Sequence, residues 1–313
     1  MKNFLFYLIT VLIWGSTWIG IKFQLGTIHP MVSVGYRFAL ASLLLLLWCL
    51  ICKLPMHFSR QQHFFMALQG LLLFSLNYLL FYMAELQLTS GLAAVIFSTI
   101  LLMNMINGSL LLNTPIDRKV VLGGTVGLIG IFLVFLPEIT VTEFGTSQLK
   151  GIILCFVATY LASLGNILSA RNQKNALPII QTNAYGMGYG AIFMLFLALI
   201  TGKSLQIDYS LIYFSSLLYL SIFGSIIAFG CYLALVGSIG PDRAAYATLL
   251  FPLVALIIST LFEGYSWTGG ALMGVTLIVC GNVMMLQRNK NPQAATLSFK
   301  KLRHMFPTIN IFR

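Results

Sequence analysis

Residues 31–51 carry a single charged side chain, Arg37, and five consecutive leucines at 43–47. As a helix such a stretch is about 30 Å long, the thickness of a bilayer's hydrocarbon core. Ten segments of this kind follow one another, at 4–23, 31–51, 64–82, 91–112, 120–136, 151–170, 179–200, 211–236, 244–262 and 267–286. Lipid offers the backbone no hydrogen-bond partner, so each span must satisfy its own N–H and C=O groups as a helix. A β-barrel would need alternating apolar and polar residues, which the leucine run lacks. The expected fold is all-α, a polytopic membrane protein with ten transmembrane helices.

Only 8% of the 313 residues are charged, against about 25% in globular domains. That composition excludes a soluble enzyme. The net charge of +11 does not imply nucleic acid, because the basic residues form short clusters between apolar runs, as topology signals do. With the N-terminus in the cytoplasm, fourteen of the 18 Lys and Arg fall on the cytoplasmic side and only Lys22, Lys150 and Lys203 outside, with Arg37 within the second span. This asymmetry predicts that both termini are cytoplasmic. The first apolar run outlasts the roughly 7–15 residues of a signal-peptide core and reads as the first span. No loop has the length of a domain, and no Gly-rich phosphate loop occurs. The five cysteines lie in or beside apolar runs, and Cys49-x-x-Cys52 has no second pair, so neither metal nor cofactor is expected. In the tail, Leu297, Leu302, Met305 and Phe306 alternate with Lys300, Lys301, Arg303 and His304. Two readings stand for it: a basic amphipathic segment on the anionic inner leaflet, and a solvated charged tail.

A shift of 151 residues aligns positions 93–130 with the second half without a gap. Ala93, Ala94, Leu102, Ile106, Leu110, Gly123, Thr125 and Gly130 fall on Ala244, Ala245, Leu253, Ile257, Leu261, Gly274, Thr276 and Gly281. Each half holds five spans, an odd number, so the second copy must enter the membrane inverted. The expected units are 1–143 and 144–288, each of five helices, followed by the basic tail 289–313. Inverted repeats of this kind place a solute site near the midplane between halves.

The motifs also carry a resemblance. Trp14-Gly15-Ser16-Thr17-Trp18 in a span ending at Lys22, and Arg37-Phe38 in the next, are similar to the opening of EamA-type members of the drug/metabolite transporter superfamily. Leu88-Thr89-Ser90-Gly91-Leu92-Ala93-Ala94, its counterpart Gly240-Pro241-Asp242-Arg243-Ala244-Ala245-Tyr246, and Pro252 followed by Thr260-Leu261-Phe262-Glu263-Gly264 resemble that family's fourth and ninth helices. The first half departs from the pattern, with Leu101 in place of the helix proline and Leu112-Asn113-Thr114 where a glutamate is usual. The resemblance implies ten helices, two inverted repeats and transport of small polar metabolites.

Polar groups inside spans are costly against lipid and mark inward faces. The candidate solute-binding residues are Trp14 and Thr17 on the first span; Asn77, Tyr78 and Tyr82 on the third; Asn104 and Asn107 on the fourth; Tyr160, Ser163 and Asn166 on the sixth; and Tyr246 on the ninth. For the asparagines, solute hydrogen bonds and helix–helix hydrogen bonds are both open readings. Tyr78 and Tyr82 suit stacking on a solute or an interfacial belt. Lys22, Arg37, Glu85 and Glu263 cluster toward the outer face. There Arg37 is expected either to pair with Glu85 or Glu263 as a gate, or to snorkel with them. No carboxylate lies near mid-membrane, so the lining suits a neutral, zwitterionic or aromatic organic solute. The expected function is export of amino acids or related solutes across the inner membrane by alternating access. The alternative is import or facilitated passage of a vitamin or nucleoside-like solute. A membrane-embedded enzyme is disfavoured because no catalytic constellation lies in the spans. The expected partners are a small organic solute and membrane lipid, with no nucleic acid. Oligomeric state is not readable.

Overall fold

The computed structural model describes residues 2–26, 28–88, 90–114, 116, 118–141, 146–262 and 267–286. Among these the chain is helical with no strand. The helices follow one another in ten stretches: α1 Lys2–Lys22, α2 Pro30–Ile51, α3 Arg60–Glu85, α4 Ser90–Ser98 continued by Ile100–Leu112, α5 Arg118–Val141, α6 Thr146–Lys174, α7 Ile179–Ile200, α8 Leu211–Ile239, α9 Pro241–Ala244 continued by Ala247–Phe262, and α10 Gly269–Leu286. Six of them (α1, α2, α3, α6, α7 and α8) are long and apolar enough to cross a membrane, and the apolar stretches of α4, α5, α9 and α10 are shorter. Large hydrophobic side chains such as Leu43, Leu47, Trp48, Ile192, Phe196 and Leu199 stand exposed on the outside, a surface that lipid covers. The chain is a polytopic helical membrane protein.

Local signals explain the ends. Ser59 caps α3 in a reciprocal capping box with Gln62. His29 caps α2, its Nδ1 accepting from Met31 N at 3.3 Å, with Pro30 at the first helical position. Gly240 takes φ +92° to turn the chain from α8 into α9, a conformation glycine adopts without a Cβ penalty. Several helices outrun their apolar cores. The apolar run expected at 64–82 sits in a helix that starts at Arg60 and ends at Glu85, and the run at 120–136 lies in the 24-residue helix Arg118–Val141. Apolarity fixes where lipid lies, whereas caps fix where a helix stops.

Two features were not foreseen. α3 widens to π-helical geometry over Leu72–Leu76 and α8 does so over Leu220–Ile227. α4 is interrupted at Thr99 and α9 at Ala245 and Tyr246. The 151-residue shift carries 72–76 onto 223–227, inside the second widened segment.

Two helix pairs pack along their lengths, α2 with α7 and α5 with α10, while α1, α3, α4, α6, α8 and α9 meet between them. Small residues set the close crossings. A Cβ at Gly130 would stand 2.5 Å from Gly274 O, and one at Gly281 would stand 2.5 Å from Gly123 O. The same shift exchanges these two contacts. The main core joins Trp14, Trp18, Phe38, Phe74, Tyr82, Phe229, Tyr232 and Phe251. A second cluster of Leu101, Met105, Val120, Tyr246, Leu249 and Ile278 ties α4, α5, α9 and α10 together.

Candidate functional site

The inner helices line a partly open cavity, whose empty space together with the adjoining open space is about 560 Å³. Its wall is built from Trp14, Thr17, Trp18 and Ile21 of α1, Leu73, Asn77, Tyr78 and Phe81 of α3, and Phe97 and Ile100 of α4. Ala162 and Asn166 of α6, Phe229 and Tyr232 of α8, and Phe251 of α9 complete it. None of these side chains carries a charge.

The Trp-Gly-Ser-Thr-Trp motif works through helical spacing. Trp14, Thr17, Trp18 and Ile21 recur every three or four residues and share one face. Gly15 lies on the neighbouring face, where a Cβ would come within 2.5 Å of Val254 and 2.9 Å of Phe251 O. The missing side chain lets α1 lie against α9 and brings Phe251 to the cavity. Trp18 then stacks on Phe251 at 5.9 Å and meets Phe81 edge-on at 5.6 Å.

The widened turn of α8 supplies the polar anchors. π-geometry leaves backbone carbonyls outside the i→i−4 ladder. Gly224 O accepts from Trp14 Nε1 at 3.3 Å, and Ser225 Oγ donates to Leu220 O at 2.9 Å. Ser225 Oγ also accepts from Arg37 Nε at 3.0 Å, and Ser221 Oγ donates to Arg37 O at 3.1 Å. Arg37 is 0% exposed, and its guanidinium lies over Tyr78 at 4.6 Å and Phe38 at 5.2 Å. In this conformation a serine hydroxyl and two aromatic rings hold Arg37. Glu85 is buried at the end of α3 and Lys22 half-buried at the end of α1, whereas Glu263 lies outside the described residues.

The asparagines form one network. Asn104 Nδ2 donates to Pro241 O at 3.2 Å, Asn166 Nδ2 reaches Asn104 Oδ1 at 3.5 Å and donates to Tyr232 OH at 3.1 Å, and Asn107 Nδ2 donates to Ser163 Oγ at 2.9 Å. The structure thus brings Trp14, Thr17, Asn77, Tyr78 and Asn166 to the wall. Asn104, Asn107 and Ser163 lie buried behind it. Tyr82 is buried and donates to Gln24 Oε1 at 2.7 Å. Tyr246 packs in the second core cluster instead. Tyr160 is 47% exposed on the outer surface of α6. It is six residues from Asn166, a separation of some 600° that leaves the two about 120° apart around the helix. Sequence reasoning missed Phe81, Phe97, Phe229 and Phe251, because an apolar aromatic in a span reads the same facing lipid or cavity. For Arg37's partners the available signal was Gly224-Ser225, a polar step inside an apolar run.

At the edge of the bundle, Tyr189 OH and His63 Nδ1 lie 2.8 Å apart, and Tyr185 donates to Met56 O at 3.0 Å. His29, outside the spans, is held below the usual histidine range, chiefly by partial burial and then by Lys203.

The EamA-like transporter family model matches residues 1–136 and again 149–287. PagO of Salmonella typhimurium is 23% identical over 287 residues, covering 91% of this chain and 93% of its own. The uncharacterized inner membrane transporter YedA of Escherichia coli K12 is 28% identical over 280 residues, covering 88% and 87%. A probable amino-acid metabolite efflux pump of Salmonella typhimurium is 25% identical over 283 residues, covering 88% and 91%. A chain of known crystal structure superposes with a TM-score of 0.75 at 13% identity, covering 91% of this chain and 96% of the other, a likeness of fold.

Proposed function

Because the chain belongs to the EamA-like transporter family across both halves, we propose that it is a secondary transporter exporting amino acids or related zwitterionic and aromatic solutes across the inner membrane by alternating access. The observation that carries this reading is the uncharged cavity of aromatic, amide and hydroxyl groups, lined from α1, α3 and α4 of the first half and α6, α8 and α9 of the second. A carrier site between two halves needs such a wall. Among the described residues the wall holds no histidine, thiol or carboxylate with which to catalyse a reaction, which supports a carrier rather than an enzyme.

The two halves, 1–143 and 144–288, are inverted copies in this reading. The glycine contacts that the 151-residue shift exchanges, and the widened turns it carries onto one another, support that assignment. The distribution of Lys and Arg supports cytoplasmic termini; the tail 289–313 lies outside the described residues. The test is flux in proteoliposomes with a panel of amino acids, with and without a proton gradient. Saturable movement of at least one solute, lost in protein-free vesicles, is the expected result. A panel that moves no faster than in empty vesicles overturns the reading, and dependence on the imposed gradient decides the coupling.

A further inference from the structure

Asn166 cannot turn its amide freely. Pro241 O only accepts, so Asn104 must present its Nδ2 there, which leaves Asn104 Oδ1 facing Asn166. Asn166 must answer with its own Nδ2, which also donates to Tyr232 OH. Its Oδ1 is left buried without a donor, and so is Asn77 Oδ1. Both residues line the cavity and are at most 2% exposed. Their helices are in contact. A Cβ at Gly165 would stand 2.6 Å from Leu73, so α6 touches α3 beside Asn166. Asn77 follows Leu73 by four residues, across the widened segment Leu72–Leu76. Two orphaned carbonyl oxygens on the wall of one cavity suit a group rich in N–H donors, since buried acceptors without donors are costly.

One buried cation flanks the same cavity. Arg37 reaches it across Tyr78, whose ring it covers at 4.6 Å, and across Gly224, where a Cβ would stand 3.1 Å from Nη2 and 2.9 Å from Thr17. Its Nη1 has no hydrogen-bond partner. A solute bearing only an ammonium would meet this guanidinium as a like charge. A zwitterion would place its carboxylate toward it.

We infer that the cavity binds an apolar α-amino acid in one fixed orientation, its ammonium on Asn77 Oδ1 and Asn166 Oδ1 at the α3–α6 side, its carboxylate drawn toward Arg37 at the α2–α8 side, and its side chain among the aromatic rings. The inference rests on the reading of this cavity as the solute site and adds the polarity of binding.

The experiment measures binding to the purified full-length protein by quenching of tryptophan fluorescence, with three probes: phenylalanine, phenylethylamine without the carboxylate, and 3-phenylpropionate without the amine. Phenylalanine should bind at least about tenfold more tightly than either, one charge-assisted hydrogen bond being the margin. Asn166→Leu should weaken phenylalanine and phenylethylamine about tenfold and leave phenylpropionate unchanged. Arg37→Gln should weaken phenylalanine and phenylpropionate and spare phenylethylamine. The near-isosteric Asn77→Asp guards against a variant that merely fails to fold, because it should tighten phenylethylamine and weaken phenylpropionate. Equal losses for all three probes in each variant, or no binding of phenylalanine to the unmodified protein, overturns the inference. If the selectivities appear but no proteoliposome flux follows, the subsite stands and the transport reading falls. If other solutes are transported while these probes are ignored, the subsite falls alone.

Discussion

Replacing Gly130 by alanine tests the crossing of α5 and α10 and the internal symmetry together. The new Cβ would stand 2.5 Å from Gly274 O and 2.9 Å from Ile278 N. Carbon–oxygen contacts begin near about 3.3 Å, so the helices must part by about 0.8 Å or bend. Overpacking of this kind costs about 1–3 kcal/mol, and alanine's better helix propensity returns about 1 kcal/mol. The net expectation is a loss of about 1 kcal/mol. Gly281→Ala meets the same geometry from the other side, 2.5 Å from Gly123 O and 2.9 Å from Gly127 N, and should cost the same. The double variant should cost less than the two together by about 0.5 kcal/mol or more, because one parting of the helices makes room for both methyls. Gly230→Ala has nothing within 4 Å of its new Cβ and should be neutral or stabilising. The assay is thermal unfolding of the purified protein in detergent, read by size-exclusion recovery. A neutral Gly130→Ala beside a damaging Gly281→Ala, or strict additivity in the double variant, would refute the reasoning.

Three further outcomes follow from the geometry. Ser225→Ala strips the acceptor from Arg37 Nε and should lower stability by about 1.5–3 kcal/mol in the same unfolding assay, whereas the exposed Ser215→Ala should stay within about 0.5 kcal/mol. Tyr160→Ala, on the outer surface of α6, should change solute binding less than twofold, and a larger loss would mean that α6 turns that face inward during the cycle. His29 caps α2 only when neutral, and its pKa is lowered in the folded protein. Its contribution is therefore complete above the ordinary histidine value near 6.5 and is lost as pH falls from there through the depressed value. His29→Asn, a cap that does not titrate in this range, should flatten that part of the melting-temperature profile, and an unchanged profile would rule out the cap as its source.

The apolar runs made the helical membrane architecture legible because lipid leaves the backbone one solution. The wall of the cavity was legible where a polar group betrayed it. Trp14, Thr17, Asn77, Tyr78 and Asn166 are each polar or amphipathic and each costly against hydrocarbon, and each lies at the wall. Tyr160 shows the limit of that rule, since a tyrosine tolerates a lipid-facing position near the interface, and Tyr246 shows that a buried tyrosine can belong to a different core. Phe97 and Phe251 carry no such cost and left no trace. The serine partners of Arg37 arise from a widened turn in α8, and no periodicity marks a π-helical segment in advance. Helix ends slipped for a similar cause, being set at α3 by the Ser59–Gln62 capping box rather than by hydropathy.

The widened turns of α3 and α8 have a mechanical consequence. Each stores backbone that an ordinary helix would have to expel, and a one-residue change in register rotates everything beyond it by about 100°. Tyr78 and Phe81 lie just past the first such turn, and Phe229 and Tyr232 just past the second. Regularising either segment would swing two rings of the wall a quarter-turn away, emptying one side of the chamber while its own helix stayed unbroken.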